Sequence, residues 1–432
     1  MRRIYLDHAA TSPLLPAARE AMLPWLNSGN PSSLHAEGRR AKAAMDEARE
    51  TLSEALGCLF AEALFTSGGT EGANLALIGS ALHNPDPRRR RVLISAAEHH
   101  CVLGARPALE ALGYQVELIP VDREARVNLD ALRETMDDRV LIVSAMHANN
   151  ELGTINPVSD IAHLAHRHGA LYHCDAVQTF GKYVPDSRDK LPKLTHLPVD
   201  LLTVSAHKIG GPKAVGAIFV RAGVKLKPLV AGGGQEREVR GGTENVAGII
   251  GFAAAVRAIA SRQLDADAEN PRDALLSALI EAGFVPSAPP SFWDARAQNE
   301  GGLRGVRMVA PTKTGSPKDA RAQNEGESSK VPVPTTQPTP VLDSHAHVRL
   351  PGVDAETMLI RLDREGISAS SGSACSSGSV EPSHVLLACG YSPQESKEGL
   401  RFTFGPETNM GDAVQAGARI ISVATEVQLA RA

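Results

Sequence analysis

Ser205-Ala206-His207-Lys208-Ile209-Gly210-Gly211-Pro212-Lys213 follows Val199-Asp200-Leu201-Leu202-Thr203-Val204, an apolar run of strand length, and it ends in Gly-Gly-Pro, which stops regular structure. Lys208 therefore falls at a strand end, among a serine, a histidine and glycines. An amine placed there can form a Schiff base with an aldehyde while its neighbours hold an anionic group. A lone loop lysine is more often simply solvated, so the reading rests on what the rest of the chain brings to it.

Toward the N-terminus, Tyr5 to Pro13 reads as an extended arm ending in a turn, and Pro16 starts a helix that runs through Met22. A turn at Gly29-Asn30-Pro31-Ser32-Ser33 leads into a long amphipathic helix from about Leu34 to Leu56. The chain then alternates. Strand-like Ala63 to Thr66, Val92 to Ser95, Val116 to Ile119, Val140 to Val143 and Leu171 to Cys174 are interleaved with helices expected at Asn74 to Leu82, Val102 to Leu112 and Ile161 to His168. Strands Leu201 to Val204 and Val215 to Val220 follow. Such alternation predicts an α/β fold with a mainly parallel sheet and a ligand site at the carboxyl ends of its strands.

The motifs stand at those ends. Ser67-Gly68-Gly69-Thr70-Glu71-Gly72 follows a strand and opens a helix, so its backbone N–H groups and the Thr70 hydroxyl can cradle a phosphate. Glu98-His99-His100 offers an imidazole that could lie over an aromatic cofactor and move protons. Asn150, in His147-Ala148-Asn149-Asn150-Glu151, offers an amide to a phenolate oxygen. Asp175, in His173-Cys174-Asp175-Ala176-Val177-Gln178, is a carboxylate at a buried strand end, costly unless it meets a cation such as a protonated pyridine nitrogen. Together these residues specify pyridoxal phosphate: the aldehyde on Lys208, the phosphate on Gly69, Thr70, Ser205 and His207, and the ring nitrogen on Asp175.

On these motifs the chain resembles the class V aminotransferase group of fold type I pyridoxal-phosphate enzymes, and within it the cysteine desulfurases, from Tyr5 to about Gly251 and again from about His345 to Gly405. The resemblance implies a large domain with a seven-stranded type of sheet and a smaller α+β C-terminal domain. It implies a homodimer in which Thr243, in Val239-Arg240-Gly241-Gly242-Thr243-Glu244-Asn245, completes the partner's phosphate site. It also makes Gln178 a second contact to the ring oxygen beside Asn150, and His99 the ring-stacking histidine.

Ser370-Ser371-Gly372-Ser373-Ala374-Cys375-Ser376-Ser377-Gly378-Ser379 is nearly all Ser and Gly around one thiol, with too little apolar content to hold a fixed fold. A thiol in such a stretch is better explained by reactivity than by packing. The resemblance is to the long-loop desulfurases, in which this cysteine takes sulfur from cofactor-bound L-cysteine as a persulfide and carries it to a protein acceptor, such as an iron–sulfur scaffold or a tRNA-thiolation enzyme. Arg401, in Leu400-Arg401-Phe402-Thr403-Phe404-Gly405, presents a guanidinium suited to a carboxylate, and by resemblance it binds that of the substrate. A selenocysteine lyase, a cysteine sulfinate desulfinase or another class V enzyme would keep the same cofactor residues. A non-catalytic partner-binding protein that kept the fold is the alternative from another class.

The division expected is an arm at 1–14, a large domain at 15–255 and a small domain at 256–432. Between about Ser287 and Pro340 the small domain is interrupted by a stretch rich in Pro, Gly, Ser and Gln that reads as a disordered insert. It contains a near-repeat, Asp294 to Gly301 and Asp319 to Gly326, and has no counterpart in the family. A smaller surface loop is expected at Asp186 to Pro198.

With 45 basic and 49 acidic residues the formal charge is −4, so no bulk electrostatic attraction to nucleic acid is expected. Five cysteines, at 58, 101, 174, 375 and 389, form no CxxC pair and leave one over, which predicts reduced thiols in a cytoplasmic setting. Neither a signal peptide nor a membrane span is expected. His163, His166 and His168, and His345 with His347, have spacings that put some of them on one face, but no cysteine or carboxylate cluster completes either set, and the chemistry requires no metal.

Overall fold

The structure is a computed structural model and describes residues 2–182, 196–262, 269–288, 340–372 and 382–430. Seven strands form the large sheet: β2 (Ala63–Thr66), β3 (Arg91–Ser95), β4 (Gln115–Ile119), β5 (Val140–Ser144), β6 (Leu171–Asp175), β7 (Leu201–Ser205) and β8 (Gly216–Val220), in the order β2-β8-β7-β6-β5-β3-β4. Their composition explains their position. Strands such as Val-Leu-Ile-Val-Ser in β5 are buried along their whole length, as strands covered on both faces must be. Pairing is parallel from β4 through β3, β5 and β6 to β7, and antiparallel on both sides of β8. Since β8 reverses twice, β2 runs with β7, and Thr66, Asp175 and Ser205 end at the same edge of the sheet.

The helices differ from expectation in several places, three of them beside the large sheet. The helix expected from Asn74 starts earlier, at Gly69 inside the glycine turn, and continues as a π-helical turn Leu75–Gly79 and a last turn Ser80–His83. The helix expected from Val102 to Leu112 is two pieces, His100–Leu103 and Arg106–Ala111. Pro107 is the reason, because it lacks the N–H that would continue the first helix and its ring crowds the preceding turn. The third is the helix Val246–Ala260, which has almost no polar face to mark it and is buried nearly all round. It packs against the helices Pro16–Met22 and Ala36–Leu56, placing Phe252 and Ile249 in the main core. Each such side chain contributes about 1.5–3 kcal/mol by leaving water.

A second, three-stranded antiparallel sheet is ordered β12 (Gly399–Thr403), β10 (His345–Arg349), β9 (Val285–Pro286). The helices Pro271–Glu281, Ala355–Arg364 and Met410–Leu429 share a separate core with it, built on Leu279, Val348, Met358, Phe402 and Ile420. The N-terminal arm enters this core: Ile4 and Leu6 are buried there, and β1 (Ile4–Tyr5) pairs in parallel with β11 (Ile367–Ser368). The arm then crosses back, Ser12 N–H donating to His207 O and Leu15 N–H to Gly210 O, beside Lys208.

Candidate active site

Lys208 lies in a 3-10 turn, Ala206–Ile209, directly after β7. Its Nζ donates to the carbonyls of Ala9 and Ala10 of the arm, the latter at 3.0 Å. The arm thus orients the amine through two backbone oxygens. Asp175 ends the neighbouring strand β6, and its Oδ1 accepts from the Val177 N–H at 2.9 Å. The Cys101 thiol lies 3.8 Å from Oδ2. Burial raises the Asp175 carboxyl to about 6, against the opposing pull of that backbone bond and of the Lys208 charge.

The glycine turn at Ser67 to Gly72 closes on the same ends. A Cβ at Gly72 would stand 2.8 Å from Thr203 Cγ2, and one at Gly69 would stand 3.0 Å from Val177 Cγ2. Glycine is what lets this backbone lie against β7. Ser205 Oγ and Asn150 Oδ1 are both buried without a hydrogen-bond partner among the described residues, and such groups are costly unless something else satisfies them. Together with the buried Asp175 carboxylate, which makes no salt bridge among the described residues, they fit pyridoxal phosphate. Thr70 is exposed at the turn, and His207 Nδ1 is 3.1 Å from Thr11 Oγ1.

His99 caps the short helix His100–Leu103, its Nδ1 accepting from the Cys101 N–H at 3.1 Å. That bond puts the proton of the neutral ring on Nε2. Burial, with Lys208 next, lowers the His99 ring to about 4, so it is neutral at physiological pH. Gln178 bonds through Nε2 to Ala9 O at 3.1 Å and through Oε1 to Lys182 Nζ at 3.3 Å. Arg401, on β12, is almost fully buried, its Nη1 2.9 Å from Asn150 O and its Nη2 2.9 Å from Asp7 Oδ1. Thr243 is exposed and lines a cleft with Thr66, Ser67 and Arg240. Cys375 lies outside the described residues, as do most of the expected insert and of the Asp186 to Pro198 loop.

Sequence reasoning missed several neighbours. Lys182, one helical turn beyond Gln178, is a second amine beside Lys208, and burial, with Lys208 and Arg401, lowers it to about 7. Asp7 could have been noticed as the one acidic residue in the arm at 1–14. Glu98 is fully buried, accepts from the Met146 N–H and is pushed well above the usual carboxyl range by burial and by Asp175. The histidines noted for metal have other surroundings: His166 bonds Asp200 at 2.8 Å, while His345 and His347 are buried in β10 near cationic groups. Among the described residues no cluster of three or more metal-ligating side chains occurs, and no helix is long and apolar enough to cross a membrane.

Residues 4–284 match the sequence profile of the family described as aminotransferase class-V. A cysteine desulfurase IscS of Dictyoglomus turgidum is 37% identical over 413 residues, spanning 95% of this chain and 92% of that protein. A putative cysteine desulfurase IscS 1 of Bacillus subtilis is 35% identical, spanning 98% of each. Among solved structures, a NifS-like protein superposes with a TM-score of 0.77 at 29% identity, covering 98% of this chain and 99% of that one. SspA in complex with cysteine superposes with a TM-score of 0.71 at 27% identity, covering 94% and 100%.

Proposed function

Because this chain belongs to the aminotransferase class-V family and, within it, to the cysteine desulfurases, we propose that it takes the sulfur of L-cysteine onto Cys375 as a persulfide and leaves L-alanine. The observation that carries the reading is the meeting of Lys208, Asp175 and the unpartnered Ser205 hydroxyl at adjacent ends of β6 and β7.

Pyridoxal phosphate, when bound, supplies an electron sink next to the substrate Cα. Gly69, Thr70, Ser205 and His207 would hold its phosphate, with Thr243 of a second copy completing that site in a homodimer. Asp175 would hold its ring nitrogen, Asn150 and Gln178 its ring oxygen, and His99 its face. The Lys208 amine would take the Cα proton of the substrate and supply a proton as the product forms. Arg401 fixes the substrate carboxylate, and His99 offers its Nε2 proton to the reacting groups.

In the sulfur step the Cys375 thiolate forms an S–S bond as the substrate C–S bond breaks, the bonding pair staying with the carbon that becomes the alanine methyl group. No external oxidant is needed. The proposal extends to a cytoplasmic enzyme that passes its persulfide to a protein acceptor, an iron–sulfur scaffold or a tRNA-thiolation enzyme. It includes the division into an arm at 1–14, a cofactor domain at 15–255 and a small domain at 256–432.

The test is alanine formation from L-cysteine, with a thiol reductant, by the cofactor-loaded protein and by Cys375→Ala. Alanine from the former and little from the latter is expected. Equal alanine from both would sink the persulfide step, and none from either would move the reading to selenocysteine, cysteine sulfinate or a non-catalytic role.

A further inference from the structure

Glu151 follows Asn150 in the loop after β5 and is almost completely buried, yet no cation pairs with it directly among the described residues. Its Oε2 accepts from Ser383 Oγ at 2.6 Å. That same Ser383 oxygen accepts from the Leu386 N–H at 3.1 Å, capping the helix His384–Ala388. The other neighbour of the carboxylate is Gly372. A Cβ there would stand 2.7 Å from Glu151 Oε2, and the residue has φ +90°, so only glycine lets the chain pass. Gly372 and Ser383 are separated in sequence by the segment that carries Cys375, and a single carboxylate meets the chain on both sides of it.

The same carboxylate is tied to the substrate end of the site. Arg401 Nη1 donates to the carbonyl of Asn150, the adjoining residue. The backbone of Arg401 pairs with Ser370 by two hydrogen bonds, Arg401 N–H to Ser370 O at 2.6 Å and Ser370 N–H to Arg401 O at 3.2 Å. Glu151, Gly372, Ser383, Ser370 and Arg401 therefore form one connected unit in which Asn150 and both flanks of the cysteine segment are held in fixed relation. The hydroxyl of Ser383 donates to Glu151 while its oxygen accepts the helix-cap N–H. An amide oxygen at position 151 would still accept that bond, whereas a methyl group would not.

Resting on the desulfurase reading above, we propose that Glu151 is a positioning residue that sets where the Cys375 segment begins and ends relative to the substrate, and so governs sulfur transfer rather than substrate binding. Misplacing a reacting group by about 1 Å costs on the order of 10²-fold in rate. Glu151→Ala should lower kcat for alanine formation about 10- to 100-fold, with KM for L-cysteine and the cofactor absorption change on adding L-cysteine nearly unchanged. Glu151→Gln should restore most of the rate. Ser383→Ala should be impaired too, and the double variant Glu151→Ala with Ser383→Ala should be little worse than Glu151→Ala alone.

A readout independent of activity is amide hydrogen exchange in the full-length protein. Residues 370–372 and 384–388 should exchange faster in Glu151→Ala and keep wild-type rates in Glu151→Gln. Wild-type kcat and exchange in Glu151→Ala would overturn the proposal, as would equal loss of kcat, substrate binding and thermal stability in both variants. If the wild type itself forms no alanine, the desulfurase reading fails, and the exchange pattern alone decides whether Glu151 anchors the two flanks.

Discussion

Arg401 and Asp7, 394 residues apart, meet at 2.9 Å through Nη2 and Oδ1, and the arginine's Nε is buried with no hydrogen-bond partner among the described residues. Nη1 is engaged by the Asn150 carbonyl. The Nε edge of the guanidinium is thus where an incoming carboxylate finds an unused donor, next to a fork that Asp7 and Asn150 already hold in orientation. A lysine at this position has a single point of charge for all three partners. Arg401→Lys should raise KM for L-cysteine about 10-fold or more, the worth of one charge-assisted hydrogen bond, while the absorption spectrum of the bound cofactor stays as in the wild type. Steady-state kinetics beside that spectrum check it.

Asp175 gives a pH dependence whose sign is fixed by its surroundings. Burial raises its carboxyl in the cofactor-free fold to about 6, above the ordinary value of about 3.9. A raised acid binds its proton more tightly folded than unfolded. Its contribution to stability is therefore complete below about pH 4 and is lost as pH rises through 6. Pyridoxal phosphate needs the ionised form, so its affinity for the cofactor-free protein should weaken as pH falls below 6. Asp175→Asn should lower affinity at neutral pH and flatten that profile, as read by fluorescence titration.

Glu236 and Arg49 form a buried ion pair at 2.6 Å, and the same carboxylate accepts from the Phe65 N–H at the base of the glycine turn. Glu236, Arg237 and Glu238 all have left-handed φ, at 41°, 56° and 65°, conformations costly for non-glycine residues. Glu236→Ala would strand the arginine charge. It should destabilise the protein by about 3–5 kcal/mol, seen as a lower midpoint in denaturant unfolding, and should also weaken cofactor binding through the displaced turn.

The strands were legible because continuous apolar runs such as Val140 to Val143 have little choice but to lie inside a sheet covered on both faces. Lys208, Asp175 and the glycine turn were legible because each is anomalous where it stands: a charge or a flexible turn at the end of a buried strand. The helix Val246–Ala260 was not, since a helix buried all round carries no polar stripe to mark its period. Nor was the break at Pro107 anticipated, although the proline itself was the signal.

The sequence by itself determined the α/β alternation and which residue types stand at the strand ends, because periodicity and local composition act between near neighbours along the chain. Tertiary structure alone decided which partners those residues received. Lys208 bonds to Ala9, 199 residues away; Arg401 bonds to Asp7; and Ser383 closes on Glu151, 232 residues away. Contacts of that span depend on two cores packing against a shared arm, and no local pattern in the chain encodes which polar atoms that packing leaves face to face.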